Sequence, residues 1–339
     1  MDNITGPLVN LSRAEVGLVE RVVVPILDTL ILVTGILGHS LVILILSRKQ
    51  RGRGGGGATN GSGPAGSASG QATDTLLLSL SAADLLLLAC LPFHTVAIAT
   101  GHWPFGSAAC KLMGFLGAAC TSASAFTLAA LAVARYLIVA RPAKAYRWCR
   151  DARRVKMAAA ALWAPAAALA APQFTWRTLD SGADVVRERP RDLVCFNFLS
   201  PEGQVAYGVC HFLLAFALPL GVIAVAYGRI YVFLRRTRLR QTTVDRLERY
   251  QSQVTQTSAL LVVAFALCWL PSYGFMFAQL ADDATVTGTA PRHGGFATFA
   301  RVMATSATVA NPILYSFMSQ KFRKELTELG RRSCKDRFV

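Results

Sequence analysis

The sequence predicts an all-α membrane protein with seven transmembrane helices and a short amphipathic helix near its C-terminal end. Hydrophobic residues make up 53% of the 339-residue chain and charged residues only 16%, against about 25% charged in a typical soluble domain. The charge that is present is one-sided, with 35 Lys and Arg against 19 Asp and Glu. Such an excess is typical either of a nucleic-acid binder or of a membrane protein with basic loops.

Seven apolar stretches are long enough to cross a bilayer, which needs about 20 mostly apolar residues. Short polar segments separate them, which argues against the alternative of core helices in a large soluble protein. The predicted spans, numbered 1 to 7 from here on, are Val22–Leu46, Leu76–Ala99, Ala108–Ala140, Val155–Ala171, Val205–Leu234, Ser258–Leu280 and Phe296–Met318.

The distribution of basic residues predicts the orientation. Lys and Arg concentrate in the first, third and fifth connections and in the tail, while the N-terminus and the other connections carry nearly balanced charge. Because an excess of Lys and Arg marks the cytoplasmic face, the N-terminus is predicted outside and the C-terminus inside. That arrangement requires an odd number of spans. The excess therefore reports topology, the bilayer is the partner, and no nucleic acid is expected.

The chain divides into three predicted regions with one insert. Residues 1–21 form an extracellular N-terminus, residues 22–318 form the transmembrane domain, and residues 319–339 form the amphipathic helix and cytoplasmic tail. A Gly-rich intracellular insert, 51–72, joins spans 1 and 2. Its composition is typical of a flexible linker.

Two kinds of modification site are predicted at the ends of the chain. Asn3 and Asn10 each begin a glycosylation acceptor pattern on the outside. Near the other end, apolar residues at helical spacing within Gln320–Gly330 predict an amphipathic helix on the inner leaflet. Cys334 beyond it is a candidate lipidation site, with an unmodified thiol as the alternative.

Two of the eight cysteines fall on the outer side of the membrane. Cys110 opens span 3, and Cys195 lies in the connection between spans 4 and 5. Because cysteines in an oxidising compartment usually pair, a disulfide between them is predicted, with two free thiols as the alternative. This bond would tether the connection over the bundle.

Short motifs in the spans resemble those of the rhodopsin-like (class A) G-protein-coupled receptors over essentially the whole chain. Within that family, the segment Ser124–Ala130 is most similar to the galanin-type peptide receptors. The motifs, each at its expected place along the chain, are Leu80–Asp84, Trp103–Gly106, Ala134–Tyr136, Trp163, Pro219 with Tyr227, Cys268–Pro271 and Asn311–Tyr315.

The resemblance implies a receptor at the plasma membrane that couples a galanin-like neuropeptide ligand to a heterotrimeric G protein by outward movement of span 6. It also implies which residues rearrange on activation. These are Trp269, Phe265, Pro219, Arg135, Tyr227, Asn311, Pro312 and Tyr315. No paired carboxylates, metal cluster or nucleophile pattern predicts an enzyme.

The ligand implied by the resemblance is therefore a peptide, and the chain is predicted to be a receptor and not an enzyme. An orphan receptor with constitutive or atypical coupling is the alternative within the fold. A seven-helix transporter or pump is the alternative from another class, although a pump would need more buried acidic residues than this sequence has.

The resemblance also implies an allosteric sodium ion, held by Asp84 with Ser124, and no other cofactor. A buried carboxylate needs a partner, so a cation there is physically reasonable. The alternative is a carboxylate satisfied by water and hydroxyl groups.

The ligand class follows from residues that are missing. Where the family's amine receptors have Asp this chain has Gly117, and where the opsins have their Schiff-base Lys it has Thr305. Arg301 is expected to need an anionic partner. The mix of aromatic, hydrogen-bonding and cationic side chains at the predicted site favours a peptide with an acidic or aromatic anchor. The predicted ligand-binding residues are His94, Thr121, Tyr207, His211, Tyr273, Met276, Gln279 and Arg301.

Three positions depart from the family pattern. Ala134 stands where the family usually has an acidic residue immediately before Arg135. Gln251 stands where the family often has an acidic residue at the foot of its sixth helix. The absence of both carboxylates predicts raised basal activity, because the loss of ion pairs specific to the inactive state shifts the equilibrium towards the active state. In span 1, His39 replaces the usual Asn and is expected to point towards Asp84.

Overall fold

The computed structural model describes most of the chain. The described residues are 19–54, 64–181, 193–197, 201–238, 245–282, 294–318 and 327. Asn3, Asn10 and Cys334 lie outside them, as does all but one residue of the predicted amphipathic helix.

Helices account for nearly all of the described structure. The helical bounds, in chain order, are Val19–Val23, Val24–Gly54, Pro64–Thr100, Gly106–Ala140, Pro142–Cys149, Ala152–Ala161, Trp163–Trp176, Pro201–His211, Phe212–Ala217, Leu218–Arg238, Asp245–Asp282 and Gly294–Met318. The strands are β1, Arg177–Ser181, and β2, Leu193–Asn197.

Each predicted span lies within this helical structure. Six helical stretches of the described chain are long and apolar enough to cross a membrane, and they coincide with spans 1 to 6. Span 7 corresponds to Gly294–Met318, which packs against spans 6 and 1. Span 3 lies at the centre and contacts spans 2, 4, 5 and 6.

Prolines explain the irregular turns within the spans. Residues Phe212–Ala217 form a π-helical segment two residues before Pro219, and Val19–Val23 form another before Pro25. Because proline has no N–H to donate and its ring crowds the preceding turn, the regular hydrogen-bond pattern is interrupted there.

The helices on either side of the Gly-rich insert extend further into it than the sequence predicts. Span 1 remains helical to Gly54 and span 2 begins at Pro64, so only 55–63 lie outside the described residues. Extending an existing helix costs much less than nucleating one, which explains helical structure in a segment of weak propensity. Ala72 is buried against Cys149, at the end of the short helix that follows span 3.

Candidate functional site

A two-stranded hairpin lies against span 3 at the end of the bundle that is predicted to be extracellular, which is called the outer end from here on. Strands β1 and β2 pair antiparallel, with Leu179 opposite Cys195. A disulfide joins Cys195 to Cys110 at the start of span 3, with their Cα atoms 5.7 Å apart. The predicted pairing is therefore confirmed, and it holds the connection between spans 4 and 5 against span 3.

The turn between spans 2 and 3 packs beneath the same disulfide. The Trp103 indole is buried and donates a hydrogen bond to the Gly106 carbonyl, 2.9 Å away. Gly106 has a φ of 76°, a conformation that other residues adopt only with strain. Trp103 and Cys110 belong to one apolar cluster, so this turn and the disulfide form a single packed unit.

An ion pair links spans 1 and 7 in the outer half of the bundle. Arg301 contacts the Asp28 carboxylate at 3.1 Å, and the Thr95 hydroxyl of span 2 donates to the same oxygen at 2.7 Å. Asp28 is 1% exposed. Arg301 was expected to need an anion, and the structure supplies one from within the protein.

Sequence reasoning did not identify Asp28 as a site residue. The signal was available, because an acidic residue in an apolar span calls for a partner in another span. His94, a predicted ligand-binding residue, lies within electrostatic range of both Asp28 and Arg301. Its ring is 6.1 Å from that of Trp103.

A second group of predicted ligand-binding residues meets between spans 3, 5 and 6. Both ring nitrogens of His211 have partners, Ser122 at 3.4 Å and the Tyr273 hydroxyl at 3.3 Å. The Tyr207 ring lies 5.7 Å from His211. Met276 also belongs here, because it packs on Gly208 of span 5. A Cβ atom added to Gly208 would lie 3.0 Å from the Met276 sulfur. The Gln279 side chain lies outside the described residues.

A chain of aromatic rings continues from this group towards the membrane centre. Tyr273 packs on Phe216 with ring centroids 4.7 Å apart, and Phe216 lies 6.1 Å from Phe265. Phe265 in turn lies 6.2 Å from Trp269. The structure thus brings two predicted activation residues together and connects them through ring contacts to the residues above.

The Asp84 carboxylate is the centre of a buried polar cluster. Asn311 donates to one of its oxygens and Ser124 donates to the other at 3.4 Å. His39 Nε2 lies 3.5 Å from the carboxylate and donates to the Thr308 carbonyl at 2.7 Å. All five residues are buried. Asn311, which the resemblance assigns to the residues that rearrange on activation, contacts Asp84.

A close approach of spans 1 and 7 brings His39 to this cluster. A Cβ atom at Gly38 would lie 2.8 Å from the Cβ of Pro312. Only glycine at this position allows the two backbones to come so near. An internal cavity beside the cluster is lined by Asp84, Leu87, Thr121, Ser124, Phe265, Trp269, Ala307, Thr308 and Asn311.

The ends of spans 3 and 5 that are predicted to be cytoplasmic also contact each other. The Arg229 guanidinium lies 6.0 Å from the centre of the Tyr136 ring, a distance typical of a cation–π interaction. Arg135 and Tyr227 are partly buried in this region. The Tyr315 side chain lies outside the described residues, so its rearrangement together with Arg135 and Tyr227 on activation stays a prediction.

Comparison with known proteins shows which family and which receptors this chain resembles. Residues 67–315 match the family described as "7 transmembrane receptor (rhodopsin family)". The chain is 30% identical to the somatostatin receptor type 5 of Bos taurus over 91% of this chain and 76% of that receptor. It is 28% identical to the galanin receptor type 2 of Rattus norvegicus, over 90% of this chain and 75% of that receptor. The corresponding values for the galanin receptor type 1 of Homo sapiens are 29%, 90% and 81%.

Proposed function

The chain belongs to the rhodopsin family of seven-transmembrane receptors, and we propose that it is a cell-surface receptor for a neuropeptide, coupled to a heterotrimeric G protein. One observation carries the proposal: the ring contacts that connect Tyr207 and His211, beneath the hairpin, to Trp269 in span 6. A ligand that moves the upper rings can therefore change the packing around span 6. Activation is then a shift between two populations, driven by the ligand's preference for one of them.

The relatives support a peptide as the ligand. They include receptors named for somatostatin and for galanin. The residues beneath the hairpin combine aromatic rings, imidazoles and hydroxyl groups, which suits a peptide with aromatic and polar side chains.

Agonist-stimulated nucleotide exchange tests this proposal. Membranes containing the full chain would be mixed with purified G proteins and a neuropeptide panel that includes galanin and somatostatin peptides. At least one peptide is expected to accelerate exchange. His211→Ala should weaken that response at least about tenfold, because it removes the bridge between Ser122 and Tyr273.

The neighbouring Cys210 supplies a matched control. Cys210 is exposed on the outside of the bundle, so Cys210→Ala should respond like the wild type. Failure of every peptide to stimulate exchange, with the receptor folded, would contradict the proposal.

The proposed orientation places the N-terminus outside the cell and the basic connections inside. The sequence supports it through the uneven distribution of Lys and Arg. Glycosylation of Asn3 and Asn10 provides the test, because only an extracellular N-terminus is modified. Enzymatic removal of glycans should increase the mobility of the wild type in gel electrophoresis and leave an Asn3→Gln/Asn10→Gln variant unchanged.

Raised basal activity is the second proposal for this receptor, and it rests on Ala134. Ala134→Asp places a carboxylate beside Arg135, so it is expected to add an ion pair to the inactive state. An interaction of about 1 kcal/mol would lower ligand-free nucleotide exchange roughly fivefold. Ala134→Asn serves as the control of similar shape without the charge. Equal basal exchange in Ala134→Asp and the wild type would contradict this proposal.

A sodium ion near Asp84 is proposed as an allosteric ligand. The cavity is lined by Asp84 together with the hydroxyl-bearing residues Ser124, Thr121 and Thr308, and oxygen ligands suit a hard cation. When bound, the ion would neutralise the buried carboxylate and favour the inactive state. The residues that would hold it are Asp84 and Ser124.

Replacing sodium chloride with choline chloride tests the sodium proposal. The wild type should have the higher Tm in sodium chloride, because a ligand that binds only the folded state stabilises it. Asp84→Asn should abolish the difference between the two salts. A wild-type Tm that is the same in both salts would contradict sodium binding.

A further inference from the structure

The outer end of the bundle contains an arginine for which the described residues supply no carboxylate. Arg177 begins β1, and its side chain lies across span 3 at Gly114. A Cβ atom at Gly114 would lie 2.5 Å from Cδ and Nε of Arg177. The absence of a side chain at Gly114 therefore creates the space in which this arginine lies.

Within the part of the chain that the structure describes, Arg177 makes polar contacts with uncharged groups. Its Nε donates to the Gln173 side chain at 2.9 Å, and Nη1 lies 3.8 Å from Cys195 sulfur. A guanidinium group has five N–H donors, and its contacts with the described residues use two of them. Burial lowers the pKa of Arg177, with the desolvation of the charged group as the main cause.

Arg301, which also lies in the outer half of the bundle, is already neutralised. Arg301 contacts Asp28, so those two charges compensate each other. Arg177, Arg301 and Asp28 all lie within electrostatic range of His94. Among these three charged groups, one positive charge is therefore left without a compensating carboxylate. A ligand with one carboxylate would balance it.

We propose that Arg177 binds a carboxylate of the peptide ligand, and this inference rests on the proposed peptide-receptor function. A guanidinium group and a carboxylate can form two parallel hydrogen bonds, which gives strength and direction. The rings of Trp176 and Tyr207 pack edge to face 5.9 Å apart beside this position. An aromatic side chain next to the carboxylate would therefore find an apolar surface.

The experiment tests two sources of the carboxylate separately: the C-terminus of the peptide and an Asp or Glu side chain. Three pools of N-acetylated tetrapeptides would be prepared: free C-terminal acids, neutral C-terminal amides, and C-terminal amides with one Asp or Glu. Each pool would be titrated into purified full-length receptor in nanodiscs, with Tm as the readout. The best peptide would then be resynthesised for a measurement of Kd.

At least one carboxylate pool should raise the wild-type Tm, and the neutral amides should not. Arg177→Gln should weaken binding of the best peptide at least about tenfold, because a desolvated charge pair is lost. Arg21→Gln removes the same charge from an exposed outer position and should leave Kd unchanged. Gly114→Ala retains the charge of Arg177 but displaces its guanidinium, so it should weaken binding as well. This variant provides the test if Arg177→Gln does not fold.

The outcomes separate this inference from the proposed function. Equal binding of acids and neutral amides, or tight binding by Arg177→Gln and Gly114→Ala, would overturn the carboxylate anchor while peptide binding itself stands. No stabilisation by any pool would overturn the anchor, whereas the nucleotide-exchange experiment with full-length neuropeptides would decide the proposed function independently.

Discussion

Arg301→Gln is expected to destabilise the receptor strongly, because it leaves the Asp28 carboxylate buried without its cation. Asp28 is 1% exposed, whereas the Arg301 side chain is 28% exposed. Breaking a buried ion pair by removing one partner costs about 3–5 kcal/mol. The loss should be smaller for Asp28→Asn, since the stranded arginine can reach water and Thr95 can still donate to the new side chain.

The double variant Asp28→Asn/Arg301→Gln tests whether the stranded charge is the cause. Its Tm should be higher than that of Arg301→Gln alone, because neither charge remains in the bundle. Lys111→Gln is the control. It removes a cation near the start of span 3, at the same end of the bundle as the ion pair, and should retain the wild-type Tm. If Arg301→Gln also retained it, the ion pair would have no role in stability.

Local patterns in the sequence were sufficient to predict the spans and the disulfide. An apolar run of bilayer length forms a helix because its backbone groups must bond within the segment, so spans 1 to 7 could be placed without tertiary information. The pairing of Cys110 and Cys195 followed from their position on the outer side of the membrane. Both features depend on the composition of single segments.

Contacts between distant segments could not be predicted in the same way. Asn311 belongs to a motif of span 7, yet its partner is Asp84 of span 2. The Asp28–Arg301 pair depends on how spans 1 and 7 are rotated and how closely they approach. Neither is encoded in local periodicity. The inward direction of Arg177 likewise depends on Gly114, a residue whose role appears only when span 3 and β1 are placed together.

Replacing both Cys110 and Cys195 with alanine is expected to weaken the outer site more than it disrupts the bundle. The disulfide closes a separation of 85 residues, and removing a native disulfide typically costs about 2–5 kcal/mol. Much of the bundle should persist, since each span satisfies its own backbone hydrogen bonds. The hairpin would lose its covalent link to span 3.

Arg177 connects this prediction to ligand binding. It lies on β1, which pairs with the strand that contains Cys195, so loss of the tether should displace its guanidinium from Gly114. The double alanine variant should therefore lose the preference for carboxylate peptides as Arg177→Gln does, and its Tm should also fall. Cys210→Ala, which removes a cysteine outside the disulfide, should change neither quantity. Retention of the carboxylate preference by the double variant would mean that strand pairing and the contact with Gln173 are sufficient to hold Arg177 in place.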